Sequence, residues 1–402
     1  MKKSLLKSML MITALFVLHA APAMAESIAK PLNDLGLGTV SGRVQYFGMH
    51  RYFEGNNPEN ANSHTGGIRL SYESPDLAGF DFGVTYDYVG VMAASESSND
   101  GNTLLSNGRV NVLNEGYLRF KLGSLGLSNT AIVAGRRVMH GEVFRSDEFR
   151  QKPRSVEGIH FESRDIPGTS IIVGHVRKLS NVWDTGDRWK FNNLTHVFGT
   201  PEKTDGITWF EMVNNSVDNL ELAFFNAYAH DVTNLIGTRV RYSFTDRTAL
   251  NGYYRHEDSV GSAADSSSDM VAFSLQQKLG RFTLEPGYFG VKGSGLRFQE
   301  VTTGINHPLG ISLMIYPGMF NGDADTGYLK ATTTAGKMVL YFLYHTTWQD
   351  NASYDSGQEL DFVARYPLVE NLSVSLKFGV GQRDKVEDTT ATDTRLFLSY
   401  SF

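Results

Sequence analysis

From residue 40 to the last residue, apolar and polar side chains alternate with a period of two, and nothing else in the chain constrains its fold as much. Successive side chains on a strand point to opposite faces, so this period is the signature of a half-buried strand. Val40, Gly42, Val44 and Tyr46 alternate with Ser41, Arg43 and Gln45. Phe80, Phe82, Val84, Tyr86 and Tyr88 alternate with Asp81, Gly83, Thr85 and Asp87. Ile236, Thr238, Val240, Tyr242 and Phe244 alternate with Gly237, Arg239, Arg241 and Ser243. The same pattern returns at 359–366, 372–380 and 394–402. No helical segment intervenes to cover a sheet, and the polar face carries Arg and Asp in mid-strand. A water-filled lumen tolerates such a face, whereas a packed sandwich interior does not.

The connections alternate too. Short turns rich in Gly, Pro, Asn and Asp fall at 74–79, 123–126, 164–168, 214–219, 245–247, 279–281, 335–337 and 367–371. These residue types supply turn dihedrals. Longer polar connections fall between them, at 50–63, 92–108, 138–155, 179–205, 229–234, 257–269, 292–325, 349–357 and 383–392. Short turns at one end and long loops at the other are the layout of an outer-membrane barrel. Eight turns and nine loops join 18 strands, with both termini on the short-turn side. The expected fold class is all-β, a transmembrane antiparallel β-barrel of about 18 strands with inward-folded constriction loops.

Bulk properties agree with this reading. Mean hydropathy is only -0.24, which does not exclude a membrane barrel, because its lumen-facing half is polar. The beginning of the chain reads as an export signal. Lys2, Lys3 and Lys7 form a basic head, Met9 to Leu18 an apolar run, and Ala23-Met24-Ala25 a small-x-small cleavage pattern. The expectation is a signal peptide over 1–25 and one barrel domain over 26–402. The net charge of -6 gives no footprint for nucleic acid. Without Cys there is neither a disulfide staple nor a thiolate metal site, and no cofactor or metal is expected.

One long connection stands apart. Residues 135–158 have no strand or helix period and concentrate Arg136, Arg137, Arg145, Arg150, Lys152 and Arg154, answered by Glu142, Asp147, Glu148 and Glu157. An irregular connection of this length in a compact fold is functional or disordered, and its charge density argues for function. The expectation is that it folds inside the wall and narrows a pore. Strand parity sets Arg43, Arg69, Arg239, Arg241, Arg365, Lys377, Arg383 and Arg395 on the polar face. A guanidinium stays charged and offers forked donors to a carboxylate. A row of them gives an anion successive weak sites, while for any single residue pairing with Asp81, Asp87, Glu73, Glu359 or Asp361 is the simpler role.

The residues from Gly116 to Leu179 resemble the OprD family of porins. The likeness lies in Gly135-Arg136-Arg137, the irregular loop, Arg150-x-x-Pro153, Glu157-Gly158, Ile166-Pro167-Gly168 and Gly174-His175. Glu359-x-Asp361 through Asn371-Leu372-Ser373 into the closing strand is similar as well. The resemblance implies a single-chain barrel with two inward loops, an arginine row along the lumen, and passage of small carboxylate-bearing molecules such as amino acids or organic and aromatic acids. It implies that Arg145, Arg150 and Arg154 belong to the first constriction loop, and Arg136, Arg137 and Asp147 are further candidates for the constriction or substrate pathway. The second would come from 292–325, with His307, Asp323 and Asp325, although its apolar run from Ile311 to Phe320 departs from the family pattern. Leu396, Leu398, Tyr400 and the terminal Phe402, on one face of the last strand, resemble the assembly signal of bacterial outer-membrane barrels.

The expected partners are outer-membrane lipid and lipopolysaccharide, the barrel assembly machinery and small permeants, with monomer and trimer both open. Two rivals are a barrel enzyme (a protease or lipase) and an adhesive or structural barrel. The scattered histidines His140, His160, His175, His230, His256, His307 and His345 form no hydrolase or zinc motif and read as lumen lining. Asp184 to Asp187 and Asp323 to Asp325 match no calcium-loop spacing and read as solvated loop. Trp209 and Trp348 fall near strand ends, where an aromatic girdle would sit.

Overall fold

In a computed structural model, the chain forms one closed antiparallel sheet. The structure describes residues 34–54, 60–94, 110–146, 150–181, 189–198, 204–300, 318–351, 356–383 and 390–402, without the side chains of 299, 300 and 383.

Eighteen long strands make the wall. The first six are β1 (Thr39–Phe53), β2 (Ala61–Glu73), β3 (Phe80–Ala94), β4 (Val110–Lys121), β5 (Thr130–Arg137) and β6 (Ser155–Ser163). The next six are β7 (Thr169–Ser180), β8 (Ile207–Val217), β9 (Leu220–Ala229), β10 (Thr233–Thr245), β11 (Thr248–Ser259) and β12 (Ser267–Leu279). The last six are β13 (Phe282–Gly293), β14 (Ala324–Ala335), β15 (Met338–Gln349), β16 (Gly357–Val369), β17 (Leu372–Arg383) and β18 (Thr390–Ser401). Each pairs with its sequence neighbours, and β1 closes the ring by pairing with β18, from Arg43 opposite Ser401 to Phe53 opposite Ala391. A two-residue segment, Asn192–Asn193, adds a short pairing beside β7 and leads into a five-residue helix, α1 (Leu194–Phe198).

The short turns and long connections fall where the sequence places them. Tight hairpins need a left-handed residue, and Asn219 (φ 63) between β8 and β9 and Gly280 (φ 60) between β12 and β13 supply it. Closure satisfies every edge of the sheet, the condition for backbone to cross hydrocarbon. At the seam, Gly42 and Phe402 exchange backbone hydrogen bonds of 2.9 and 3.0 Å. The Phe402 ring lies where a side chain at position 42 would project, so only glycine leaves room for it.

Parity follows the sequence pattern. Phe80, Ile236, Phe273, Leu360 and Leu396 are exposed and form the lipid-facing surface. Asp81, Asp87, Ser274, Glu359 and Asp393 are buried and face inward. Trp348 is exposed on the outer face near the long-loop end, as a girdle residue would be. Trp209 departs from that expectation. It is 2 % exposed on the inner face of β8 and packs edge-on against Phe144 with ring centroids 5.1 Å apart. Its odd number puts it in register with inward Glu211, which overrides its place near a strand end.

Candidate functional site: the narrowed lumen

The connection between β5 and β6 folds inside the barrel. Its first part turns back on itself, Gly141 N donating to Phe144 O at 2.8 Å and Ser146 N to Met139 O at 3.0 Å. The tip is held on one wall by Glu211 of β8, whose carboxylate accepts Glu142 N at 2.7 Å and Val143 N at 2.9 Å. The Glu142 carboxylate in turn accepts Arg239 Nη2 of β10 at 2.7 Å, and Arg239 Nη1 reaches Glu221 at 2.6 Å. The far part of the loop is held elsewhere. Gln151 Nε2 donates to Thr65 Oγ1 of β2 at 2.8 Å. Asn114 of β4 receives Ser155 Oγ at 2.6 Å and donates to Pro153 O at 3.4 Å. β2 and β10 lie eight places apart in the ring of 18, so the loop spans nearly opposite walls and narrows the lumen.

Burial sorts the loop's cations. Arg145 is exposed and, among the described residues, its side chain makes no hydrogen bond or ion pair, whereas Arg150 and Arg154 are 4 % and 5 % exposed. Arg154 Nη2 donates to Asn181 at 3.3 Å, and its backbone N–H donates to Ser146 Oγ at 2.7 Å. Lys152 is 2 % exposed, its ammonium donating to Pro153 O at 2.8 Å and Ser180 O at 3.5 Å. Burial among these carbonyls pushes the Lys152 ammonium down to about 7. Arg145 is therefore the loop cation that meets water, while Arg150, Lys152 and Arg154 lie within its packing. Asp147 lies outside the described residues.

A second connection, between β13 and β14, also packs on the inner wall. Glu257 of β11 accepts the backbone N–H groups of Arg297 and Phe298 at 2.8 and 3.2 Å. The Phe298 ring meets Phe198 of α1 edge-on at 5.6 Å, and Phe320 meets Phe289 of β13 at 5.4 Å. Gln349 of β15 donates to Gly318 O at 2.7 Å. Met319 and Phe320, at the end of the apolar run, are buried here. His307 lies outside the described residues.

Strand parity separates the remaining candidates. Arg137 faces inward, its Nη1 3.3 Å from Glu162 and its guanidinium over the Tyr117 ring. Arg136 cannot share that face, because adjacent strand residues diverge. It continues the outer series of Ile132 and Ala134, pairs with Glu157 at 2.7 Å and stacks on Phe191 at 4.2 Å. Asp325 likewise departs from the expected pathway. Ala324 takes the inner position at the start of β14, so Asp325 faces outward, accepting from Tyr288 Oη and from Lys292 at 3.1 Å. Asp323 closes the end of its connection by accepting Gly293 N at 3.2 Å.

On the inner face, Arg239 anchors the loop and Arg241 bonds Asn251 and Gln276 at 3.0 and 2.8 Å. Arg365 lies at an exposed inner position. Lys377 sits 5.4 Å over the Phe397 ring. Arg395, 3 % exposed, is paired with Asp393 at 2.8 Å, and Asp393 also holds Arg51 at 2.8 Å. Arg69 pairs with Asp87 and Arg119 with Asp81, each at 2.9 Å. Arg383 ends β17, with its side chain outside the described residues. Glu211, Asn114, Arg51 and Arg119 were not singled out by sequence. Arg51 falls in a stretch that reads as loop, and the others lie on strands whose alternation is weakest.

The histidines divide between the two faces. His160 and His345 face inward, while His175, His230 and His256 continue outward series. Among the described residues, His256 is the histidine closest to a hydrolase arrangement, with Asp269 at 2.9 Å and Asp258 at 2.7 Å. Both its ring nitrogens are engaged by carboxylates, which leaves neither to activate a nucleophile.

Comparison with known proteins matches this geometry. Among solved structures, a BenF-like porin from Pseudomonas fluorescens Pf-5 superposes with a TM-score of 0.75 at 17% identity, covering 91% of this chain and 98% of that one. Acinetobacter baumannii OccAB4 gives 0.73 at 14%, covering 90% and 97%. Pseudomonas aeruginosa OpdK, solved with vanillate, gives 0.71 at 14%, covering 90% and 98%. At such identities these likenesses establish the fold. No curated protein matches the chain. A family model described as outer membrane porin, OprD family, matches residues 38–316, well over half of the 402 residues. The chain therefore belongs to the OprD family of porins, channels of the bacterial outer membrane.

Proposed function

We propose that this porin passes small hydrophilic solutes with a bias toward molecules carrying a carboxylate. The observation that carries the reading is Arg145, exposed on a loop whose other cations are buried. A permeant forced past it meets a fixed forked donor at the narrowing. Arg365, exposed on the inner wall, adds to the positive field, while Arg69 and Arg395 are answered by Asp87 and Asp393. OpdK, of the same fold, was solved with vanillate, itself a carboxylate. Attraction, transient pairing and release would suffice, with no covalent chemistry. The same proposal includes export through the leader cleaved after Ala25, and the outer-face series Leu396, Leu398, Tyr400 and Phe402 as the assembly signal.

The test is uptake into liposomes holding the purified barrel. Gluconate should enter faster than glucose, which is of similar size, uncharged and likewise excluded by the bilayer, and Arg145→Ala should narrow the difference. Equal rates for both solutes through the wild-type protein would overturn the carboxylate bias.

A further inference from the structure

On the outer face of the barrel, near the long-loop ends of β7, β8 and β9, two imidazoles converge on one hydroxyl. His175 of β7 lies opposite Thr208 of β8, and Thr208 lies opposite Tyr228 of β9. His230 directly follows the end of β9, two places beyond Tyr228, and so shares its face. His175 Nδ1 is 3.1 Å from Thr208 Oγ1, and His230 Nε2 is 3.0 Å from the same oxygen. The two ring centroids are 5.8 Å apart. The Tyr228 ring meets His230 edge-on at 5.0 Å and steadies its plane.

The tautomers follow from the partners. His175 Nε2 lies 3.3 Å from the carbonyl oxygen of Asp205. A carbonyl only accepts, so Nε2 carries the ring proton, and neutral His175 turns its Nδ1 lone pair toward Thr208. The Thr208 hydroxyl donates its one proton there, and His230 Nε2 donates to the hydroxyl oxygen. The backbone is shaped for the Asp205 contact. Gly206 (φ 138) follows it, and a Cβ at that position would overlap Val176 O and the His175 ring.

This is the arrangement of a metal-ligating pair. A ligating histidine donates its other ring N–H to a carbonyl or carboxylate, which fixes the tautomer and orients the ring, as Asp205 O does for His175. Two imidazoles sharing one ion at about 2.0–2.1 Å have ring centroids roughly 5–6 Å apart, the separation seen here. His256 makes the contrast. Its two nitrogens turn to different carboxylates, Asp269 and Asp258, so its neighbours do not converge on one point.

We propose that His175 and His230 form a surface site for a divalent transition-metal ion of the copper, nickel or zinc class. The ion takes His175 Nδ1 and, once the His230 ring proton has moved to Nδ1, His230 Nε2. Among the described residues no third His, Asp or Glu completes a metal-binding group, so water and the Thr208 hydroxyl fill the other positions. Imidazole donors select these metals over calcium and magnesium, which take oxygen ligands. The site stands at the root of the connection between β7 and β8, whose helix α1 carries Phe198 against Phe298 of the second inward connection. A bound ion ties β7 to β9 across β8 at that root. The site is independent of the carboxylate bias proposed above.

The experiment is Cu²⁺ titration of the untagged, full-length barrel in detergent, followed by electron paramagnetic resonance at substoichiometric copper. The wild type should show hyperfine splitting from two imidazole nitrogens, and added Zn²⁺ should displace the copper. His175→Gln and His230→Gln should each reduce the pattern to at most one nitrogen and weaken binding at least about tenfold, the loss that follows even from disturbing a ligand's supporting hydrogen bond. Both side chains lie on the outer face, away from the packed lumen, so heat-modifiable gel mobility should report folded barrels for both variants. His256→Gln should leave the spectrum unchanged. A one-nitrogen spectrum in the wild type, an unchanged spectrum in folded His175→Gln or His230→Gln, or loss of the signal in His256→Gln would overturn the site.

Discussion

The two halves of the lumen are built from the same alternating strands and are filled in different ways. From β8 to β15 the inner face presents Trp209, Phe225, Leu235, Met270, Phe289 and Leu343, each 2 % exposed or less. The inward loops fill that half through Val143, Phe144, Phe298, Met319 and Phe320. From β16 round to β5 the inner face presents ion pairs instead, among them Arg395 with Asp393, Arg69 with Asp87, and Arg119 with Asp81. The difference shows that an inner face is not polar by rule. Where the inward loops pack it carries apolar side chains interleaved with the charges that anchor the loops, such as Glu211, Arg239 and Glu257, and elsewhere ion pairs predominate.

The largest effect should come from emptying the filled half. Trp209→Ala removes a buried ring packed against Phe144, and truncating a buried aromatic costs about 3–5 kcal/mol. The unfolding midpoint in detergent and urea should fall, and open-channel noise should rise as the loop loses its seat. An unchanged midpoint would show that the packing there is not what holds the loop.

Next is the anchor between the halves. Glu211→Gln keeps the shape but weakens two charge-assisted bonds to Glu142 N and Val143 N. Hydrogen bonds to charged groups are worth about 1.5–3 kcal/mol each, so the loop tip should detach in a measurable fraction of channels. A second conductance level, larger than the first, would report it. Gly141→Ala should act alike, because a methyl group there would overlap the Glu211 carboxylate.

A smaller effect is expected in the charged half. Arg69 and Asp87 are 18% and 3% exposed, and a double-mutant cycle should give about 1 kcal/mol of coupling. A coupling above that of Glu211 with the loop would reverse the ranking of the two halves.

A pH effect stands apart from this ranking. The folded Lys152 ammonium titrates near 7, against an ordinary 10.5, because it is buried. Between those values the unfolded chain holds the extra proton, so stability should rise with pH across that window and reach its low plateau below about 7. Lys152→Met should flatten the slope, which is read from urea midpoints at several pH values.

Most of the fold was legible because strand parity and turn chemistry are local. The turns at 245–247 and 279–281 carry their own dihedral preferences, and the pattern of β3 or β16 names its inner face outright. Parity applied residue by residue would also have separated Arg136 from Arg137 and turned Asp325 outward. The site was less legible. Arg145, Arg150 and Arg154 look alike in sequence, and what separates them is burial against walls far away in the chain. Glu211 carries no local mark of its role, since its partners are backbone N–H groups 69 and 68 residues distant. Trp209 looked like an interface residue until the loop that covers it was in place.

The most direct test of the account is the reversal potential of single channels under a salt gradient, for the wild type and for Arg145→Ala. The wild type should favour anions, and losing one exposed charge at the narrowing should lower the anion-to-cation permeability ratio about threefold. An Arg145→Ala channel with unchanged selectivity would contradict the claim that this loop sets what passes.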